Sequence, residues 1–110
     1  LFEAAAMPRT DYQAGIDEHS RALFSIFAAN IKEARKARGW TLQEAADRAF
    51  LSVTSYRAAE AGNLGTAIGV YLAILGAMGL SDGFADLAAP NRDETGRRNR
   101  TVKARRKVTE

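Results

Sequence analysis

Residues 41–62, TLQEAADRAFLSVTSYRAAEAG, constrain the fold more than any other stretch of the chain. Thr41 suits an N-cap, and Glu44 three residues on completes a capping box, in which hydroxyl and carboxylate each satisfy an orphan backbone donor. Trp40 just ahead is placed to lie over Ala45 as a hydrophobic staple. Leu42, Ala45, Ala46 and Ala49 then recur at helical spacing. This helix is expected to end near Phe50. Ser52 suits the cap of the next helix, with Val53, Tyr56 and Ala59 turned inward and Ala58 beside them. Gly62 is a helix stop. The pattern is two short helices joined by a tight turn.

The flanking segments supply a body for that pair. From about Asp17 to Arg38 the pattern is helical, with Leu23, Phe27, Ile31 and Ala34 on one stripe and Phe24 and Ile26 beside it. Bases fill its last turn, where the helix dipole favours cations, and Gly39 ends it. After the loop Asn63-Leu64-Gly65, Thr66 is expected to cap a fourth helix reaching about Met78. Ile68, Leu72, Leu75 and Met78 form its apolar face, broadened by Val70, Tyr71 and Ile74. A helix apolar over so much of its surface is buried or pairs with another chain. Gly79 stops it. Ser81 caps a short fifth helix with Phe84, Leu87 and Ala88 inward, and Pro90 closes it. The expectation is an all-α domain of five helices over residues 17–90. An arm over residues 1–16 precedes it, in which Met7-Pro8 reads as a natural beginning and residues 1–6 as a remnant ahead of it. A basic tail, 91–110, follows.

The net charge of +3 hides an asymmetry: eight bases face ten acids through residue 90, and eight face three beyond it. The tail's only aliphatic residues larger than Ala are Val102 and Val108, so it is expected to stay mobile on its own. Three readings of it stay open: a basic arm along a DNA backbone, a segment that folds onto an acidic partner, or a solubilising end. With no Cys and His19 as the one His, neither a disulfide framework nor a zinc set can be assembled. Asp82 and Asp86 share a helix face, but without a nucleophile–base pair or a ligand set they read as solvated carboxylates. Neither enzymatic activity, a metal nor a cofactor is expected. There is no run of about eighteen apolar residues to span a membrane, and the start lacks the basic n-region of a signal peptide. A cytoplasmic location, at the nucleoid when bound to DNA, is expected.

Two short helices around a tight turn form the helix-turn-helix pattern, whose second helix enters the major groove of DNA. The order of five helices, with IKEARKARGWTLQEAADRAF and SVTSYRAAEAG at its centre, resembles the Xre/Cro-type, lambda-repressor-like domain. The following GTAIGVYLAILGAMGLSDGFADLAAPNRDETGRR is similar to HipB-type antitoxins, partners of HipA-type serine/threonine kinases in toxin–antitoxin operons. The resemblance covers residues 20–107. It implies a transcriptional autorepressor that binds a palindromic operator as a homodimer and neutralises a HipA-type kinase toxin. The chain departs from the family at Leu42, where Gln is usual and Gln43 comes next, and at Phe50, where the turn favours Gly. Those departures, with the Ala58-Ala59 pair, motivate a second reading: a protein-interaction module of a kinase-inhibitor complex with the same fold and little operator-specific DNA binding.

The resemblance also implies roles for single residues. Ser52, Val53, Thr54 and Arg57 sit where the family's recognition helix faces the groove. Arg57 either forks onto guanine O6 and N7, a contact worth ~1–3 kcal/mol of discrimination, or remains a solvated base. Val53 is suited to a thymine methyl. Gln43, Thr41 and Ser55 are candidates for phosphate contacts that position without reading sequence, with capping or solvation as the alternative. Lys36 and Arg38 are phosphate candidates too, against a solvated helix end. Arg35 and Glu60 are expected to form a structural ion pair tying the first helix to the end of the third. Arginine suits that role because its planar fork meets a carboxylate with two bonds. Trp40, Phe24, Phe27, Tyr71 and Phe84 read as core or interface.

Overall fold

A computed structural model describes residues 11–109, with side chains through residue 106. Five α-helices and three short 3₁₀ helices make up these residues, with no strand among them. The α-helices are α1 (Glu18–Ala37), α2 (Leu42–Arg48), α3 (Val53–Glu60), α4 (Ile68–Met78) and α5 (Glu94–Thr109). The chain divides into two compact units, one through Met78 and one from Gly79 onward. The sequence places that boundary twelve residues later, at Pro90, because the stretch after Gly79 reads as part of the domain. Residues 1–10 of the expected arm lie outside the described residues. The end of that arm is a 3₁₀ turn, Tyr12–Gly15, held to α1 by Arg21, whose Nε donates to the Ile16 carbonyl at 3.0 Å and whose Nη2 donates to that of Gln13.

In the first unit α1, α2 and α3 start at the caps their sequence predicts. Asp17 caps α1 through the Ser20 amide, and Ser52 caps α3 through that of Ser55 at 3.1 Å. The capping box at α2 is complete: Thr41 Oγ1 accepts from the Glu44 amide at 3.1 Å, and Glu44 Oε1 accepts from the Thr41 amide at 2.8 Å. Such caps contribute about 1 kcal/mol each, which matters for helices of seven and eight residues that are too short to persist alone. The core joins Ile31 of α1, Ala45, Ala46 and Ala49 of the α2 segment, Tyr56 and Ala59 of α3, and Tyr71, Ile74 and Met78 of α4. Alanines at α2 let it approach its neighbours closely, while Phe24, Phe27 and Tyr71 fill the wider space between α1 and α4. Phe24 meets Tyr71 edge-on at 5.6 Å and Phe27 lies 5.2 Å from it. Tyr71 Oη donates to the Ala59 carbonyl at 2.9 Å, so the ring that fills the core also ties α4 to the end of α3.

Four expectations are corrected. On α1 Ala28 and Ile31 are buried, Phe24, Phe27 and Ala34 are half-buried against the core, and Leu23 and Ile26 are exposed. Ala28 is buried because Gly62 runs past it; a Cβ at Gly62 would lie 3.5 Å from that of Ala28. On α4 the inward residues are Tyr71, Ile74, Leu75 and Met78, whereas Ile68 is 63% exposed and Leu72 38%. The helix is apolar on nearly every side, so periodicity does not single out its buried face. It begins at Ile68, two residues beyond Thr66. In the second unit, residues 82–86 form a 3₁₀ turn without a side-chain cap from Ser81, and Leu87 and Ala88 are exposed. Gly83 within this stretch and Pro90 just after it disfavour a full α-helix. Pro90 opens a further 3₁₀ turn, and Asp93 follows, its Oδ1 accepting from the Gly96 amide at 3.0 Å. The tail expected to be mobile is helical over Glu94–Thr109, with Glu94 bonded to Arg97 and 3.9 Å from Arg98 in its first turns.

Phe50 sits between α2 and α3 at φ 59° and is 96% exposed. A non-glycine residue in the left-handed region costs about 1–2 kcal/mol, and this ring recovers none of it through burial. Phe50→Gly is therefore expected to raise the urea midpoint by an amount equivalent to roughly 0.5–1 kcal/mol, the relieved strain exceeding the added entropy of the unfolded chain. An unchanged or lower midpoint would refute the strain at this turn.

Candidate nucleic-acid interface

The edge of α3 is built by its cap and its core anchors. Tyr56 and Ala59 are sunk into the core, which fixes the rotation of this eight-residue helix. Ser52, Thr54, Ser55 and Arg57 are consequently exposed, and Val53 is half-buried against the core. Ser52 Oγ donates to Ser55 Oγ at 3.1 Å while accepting from the Ser55 amide, so both hydroxyls are held at the helix start. Among the described residues no side chain pairs with Arg57. On α2, Thr41 is engaged in the capping box and Gln43 Nε2 donates to Asp47 Oδ1 at 2.9 Å. Both are exposed, but their polar atoms already have local partners. Leu42, where the resembled family carries Gln, is half-buried against the core. Any phosphate contact at this end of α2 falls to Thr41 and Gln43.

Arg35 and Glu60 form the predicted fork. Arg35 Nε donates to Glu60 Oε2 and Nη2 donates to Oε1, both at 2.9 Å, and Nη1 donates to the Trp40 carbonyl at 3.0 Å. The side chains retain only 12% and 8% of their exposure. Burial pushes the Glu60 carboxyl up, but the Arg35 bonds, the Tyr56 hydroxyl and the Arg35 and Lys32 charges outweigh it and hold the carboxyl below its ordinary value of 4.5. The Glu60 bond in turn holds Arg35 charged. Tyr56 Oη is enclosed against this pair without a hydrogen bond of normal geometry, and burial first, then Glu60, raise its hydroxyl so that it stays neutral.

Arg38 is engaged within the protein. Its Nη1 donates to the Ala34 carbonyl at 3.0 Å and its Nη2 to the Met78 carbonyl at 2.9 Å, so it closes the ends of α1 and α4 together. The backbone acceptor lies forty residues away in sequence and carries no side-chain signal. Lys36 remains exposed near the end of α1. Sequence reasoning also missed the setting of Trp40, whose ring has the Arg48 guanidinium 4.5 Å from its centroid and that of Arg38 at 5.8 Å. A shallow groove of about 240 Å³ beside α3 was likewise invisible: Ser55 and Ala58 line one wall, Asn63, Thr66 and Val70 the other. The Asn-Leu-Gly turn shapes it, with Asn63 Oδ1 accepting from the Gly65 amide at 2.8 Å.

No family model, curated protein or solved structure matches the chain. Among the described residues there is no cluster of metal-ligating side chains and no helix long and apolar enough to cross a membrane.

Breaking the fork leaves one charge enclosed without its partner. Glu60→Gln is expected to lower stability by about 3 kcal/mol, as breaking other buried pairs does. Glu60 binds protons less readily folded than unfolded, so its contribution is fully present above pH about 4.5 and fades as pH falls through its lower folded value. Urea melts of the two proteins should converge as pH is lowered from about 6 toward 3. A difference that is constant over that range would show that Glu60 charge does not stabilise the fold.

Proposed function

We propose that the chain is a sequence-specific DNA-binding transcriptional regulator that reads an operator with the exposed edge of α3. The observation that carries this reading is the division of α3 into a core side, Tyr56 and Ala59, and an outward side of small polar residues and one arginine, Ser52, Thr54, Ser55 and Arg57. Small hydroxyls let a helix approach base edges, and an arginine can fork onto guanine. α2–turn–α3 then acts as a helix-turn-helix of the Xre/Cro type. Thr41 and Gln43 lie near phosphates, and Asn63 and Thr66 offer further polar groups beside Ser55. So small a footprint binds weakly as one copy. A homodimer would place two α3 helices about 34–36 Å apart on a palindrome, and the exposed Ile68 and Leu72 of α4 are apolar surface available for that pairing. The HipB-like sequence after α3 supports an antitoxin role for the same molecule, holding a HipA-type kinase inactive.

One observation favours a second reading. Phe50 is a strained, outward aromatic beside the proposed DNA edge, and its phenyl ring offers a backbone phosphate no hydrogen bond. In a protein-interaction module of a kinase-inhibitor complex it would be a docking residue, and operator reading would be slight.

Fluorescence anisotropy separates the two, using the duplex immediately upstream of the chain's own coding region and a scrambled duplex of equal composition. The regulator reading predicts selective binding to the first. Arg57→Ala should lose ~1–3 kcal/mol on that duplex, roughly 5- to 150-fold, with little change on the scrambled one and none in kinase binding. Equal binding to both duplexes by the unaltered chain supports the interaction module. Parallel loss of operator and kinase binding in a folded Arg57→Ala protein would overturn the assignment of separate surfaces.

A further inference from the structure

The α5 helix has a built beginning and a body that repels itself. Asp93 accepts from the Gly96 amide, and Glu94 pairs with Arg97 within the first turn. Beyond that turn, Arg97, Arg98, Arg100, Lys103, Arg105, Arg106 and Lys107 follow with no further acid through Thr109. Arg97 and Arg100, Arg100 and Lys103, and Lys103 and Lys107 stand three or four residues apart, where like charges destabilise a helix. Residues 97–106 are exposed, so the helix has no packing face there to offset that repulsion. Gly96, Asn99, Thr101 and Val102 are weak helix formers, and sixteen residues is close to the shortest length that persists in water. Such a helix completes itself when an external polyanion neutralises it.

The arrangement of charge identifies the polyanion. At about 100° per residue the bases encircle the axis, leaving no gap wider than roughly 80°. A groove in an acidic protein would need a stripe of apolar anchors on one side, and a membrane surface an apolar face; Val102 is the only large aliphatic residue among 94–106. A helix basic on all sides fits a channel with anions on both walls. The major groove of B-DNA is about 12 Å wide and bounded by two phosphate backbones. An α-helix is about 10–12 Å across, and sixteen residues extend it about 24 Å. The major groove of A-form RNA is too narrow to admit it. We propose that α5 is a second DNA-binding element, which lies in the major groove, contacts phosphates of both strands and binds without regard to sequence. It rests on α5 alone and stands whether or not α3 reads an operator.

The test uses the full chain and its variant carrying Arg97→Gln, Arg98→Gln, Arg100→Gln and Lys103→Gln, with a random-sequence 24-base-pair duplex as probe. Each phosphate contact contributes about 0.9 to the slope of log affinity against log salt. The variant slope should be shallower by roughly 2–3.6, with affinity at least about tenfold weaker at low salt. Far-UV circular dichroism should gain helix signal when duplex is added to the unaltered chain, and that gain should shrink in the variant. An unchanged slope overturns the proposal, as does polyglutamate competing as well as duplex at equal charge. A matched thermal melt of the two proteins shows that the first unit is intact. Selectivity for the upstream duplex over the scrambled one reads α3 independently, so failure of α5 and failure of the operator reading are told apart.

Discussion

The Arg35–Glu60 fork is where the first unit is closed. Its three donated bonds join the end of α1, the carbonyl of Trp40 ahead of α2, and the last residue of α3. The helices it joins are seven, eight and twenty residues long, and the two short ones have little stability of their own. A planar guanidinium is suited to this point because it satisfies a carboxylate and a carbonyl at once in one geometry. Around it the core can be built from small residues. Ala45, Ala46, Ala49 and Ala59 bring backbones together, so α3 has almost no rotational freedom once Tyr56 is seated. The outward edge of α3 is therefore a consequence of what its inner side buries.

A second tie works at the other end of the unit. Arg38 reaches the Met78 carbonyl, and Tyr71 reaches that of Ala59, so the last turn of α4 and the end of α3 are each held by a side chain from another helix. Both bonds bring a side-chain donor to a carbonyl near a helix end, that of Ala59 also accepting from the Gly62 amide. Polar chemistry here is used to stop helices and position them, and the side chains with outward polar groups are left on α2, α3 and the following loop. Phe50 is the exception: its φ of 59° and 96% exposure combine strain with a solvated aromatic, and no burial among the described residues compensates for either.

The parts of this arrangement that the sequence disclosed are those governed by short-range chemistry. Thr41 with Glu44, Ser52, Gly39, Gly62 and Gly79 mark boundaries within a residue or two, because caps and positive-φ stops act over three or four residues. The Arg35–Glu60 pair was legible only through resemblance; twenty-five residues separate the partners and nothing local links them. Leu23 and Ile26 are exposed although apolar, and Ala28, too small to signal a core position, is buried in their place. α4 defeated periodicity because it is apolar all round. The direction of Arg38 and the groove beside Ser55 depend on tertiary placement, for which single positions hold no signal. The composition of residues 91–110 argues against a core there, and residues 97–106 of helical α5 are exposed. Composition reports whether a segment can form a core, and a solvated helix does not require one.

That distinction separates the two units chemically as well as structurally. Through Met78 eight bases balance eight acids, and several bases there are committed within the protein: Arg35 to a carboxylate, Arg38 to two carbonyls, Arg48 to the Trp40 ring. Of these, only Arg35 has its charge offset by an acid; Arg38 and Arg48 keep theirs, and the long-range field of the unit follows its net charge. The excess of bases lies instead on α5, where only Glu94 opposes it within the helix. Under the proposed DNA-binding function, one element must discriminate and enough positive charge must hold it near the duplex, and these demands conflict on a single eight-residue helix. Discrimination calls for small, sterically defined side chains such as Ser52 and Thr54, whereas non-specific affinity grows with the number of phosphate contacts. Placing the bases on a separate helix removes that conflict and leaves the edge of α3 narrow, nearly neutral and held by its core.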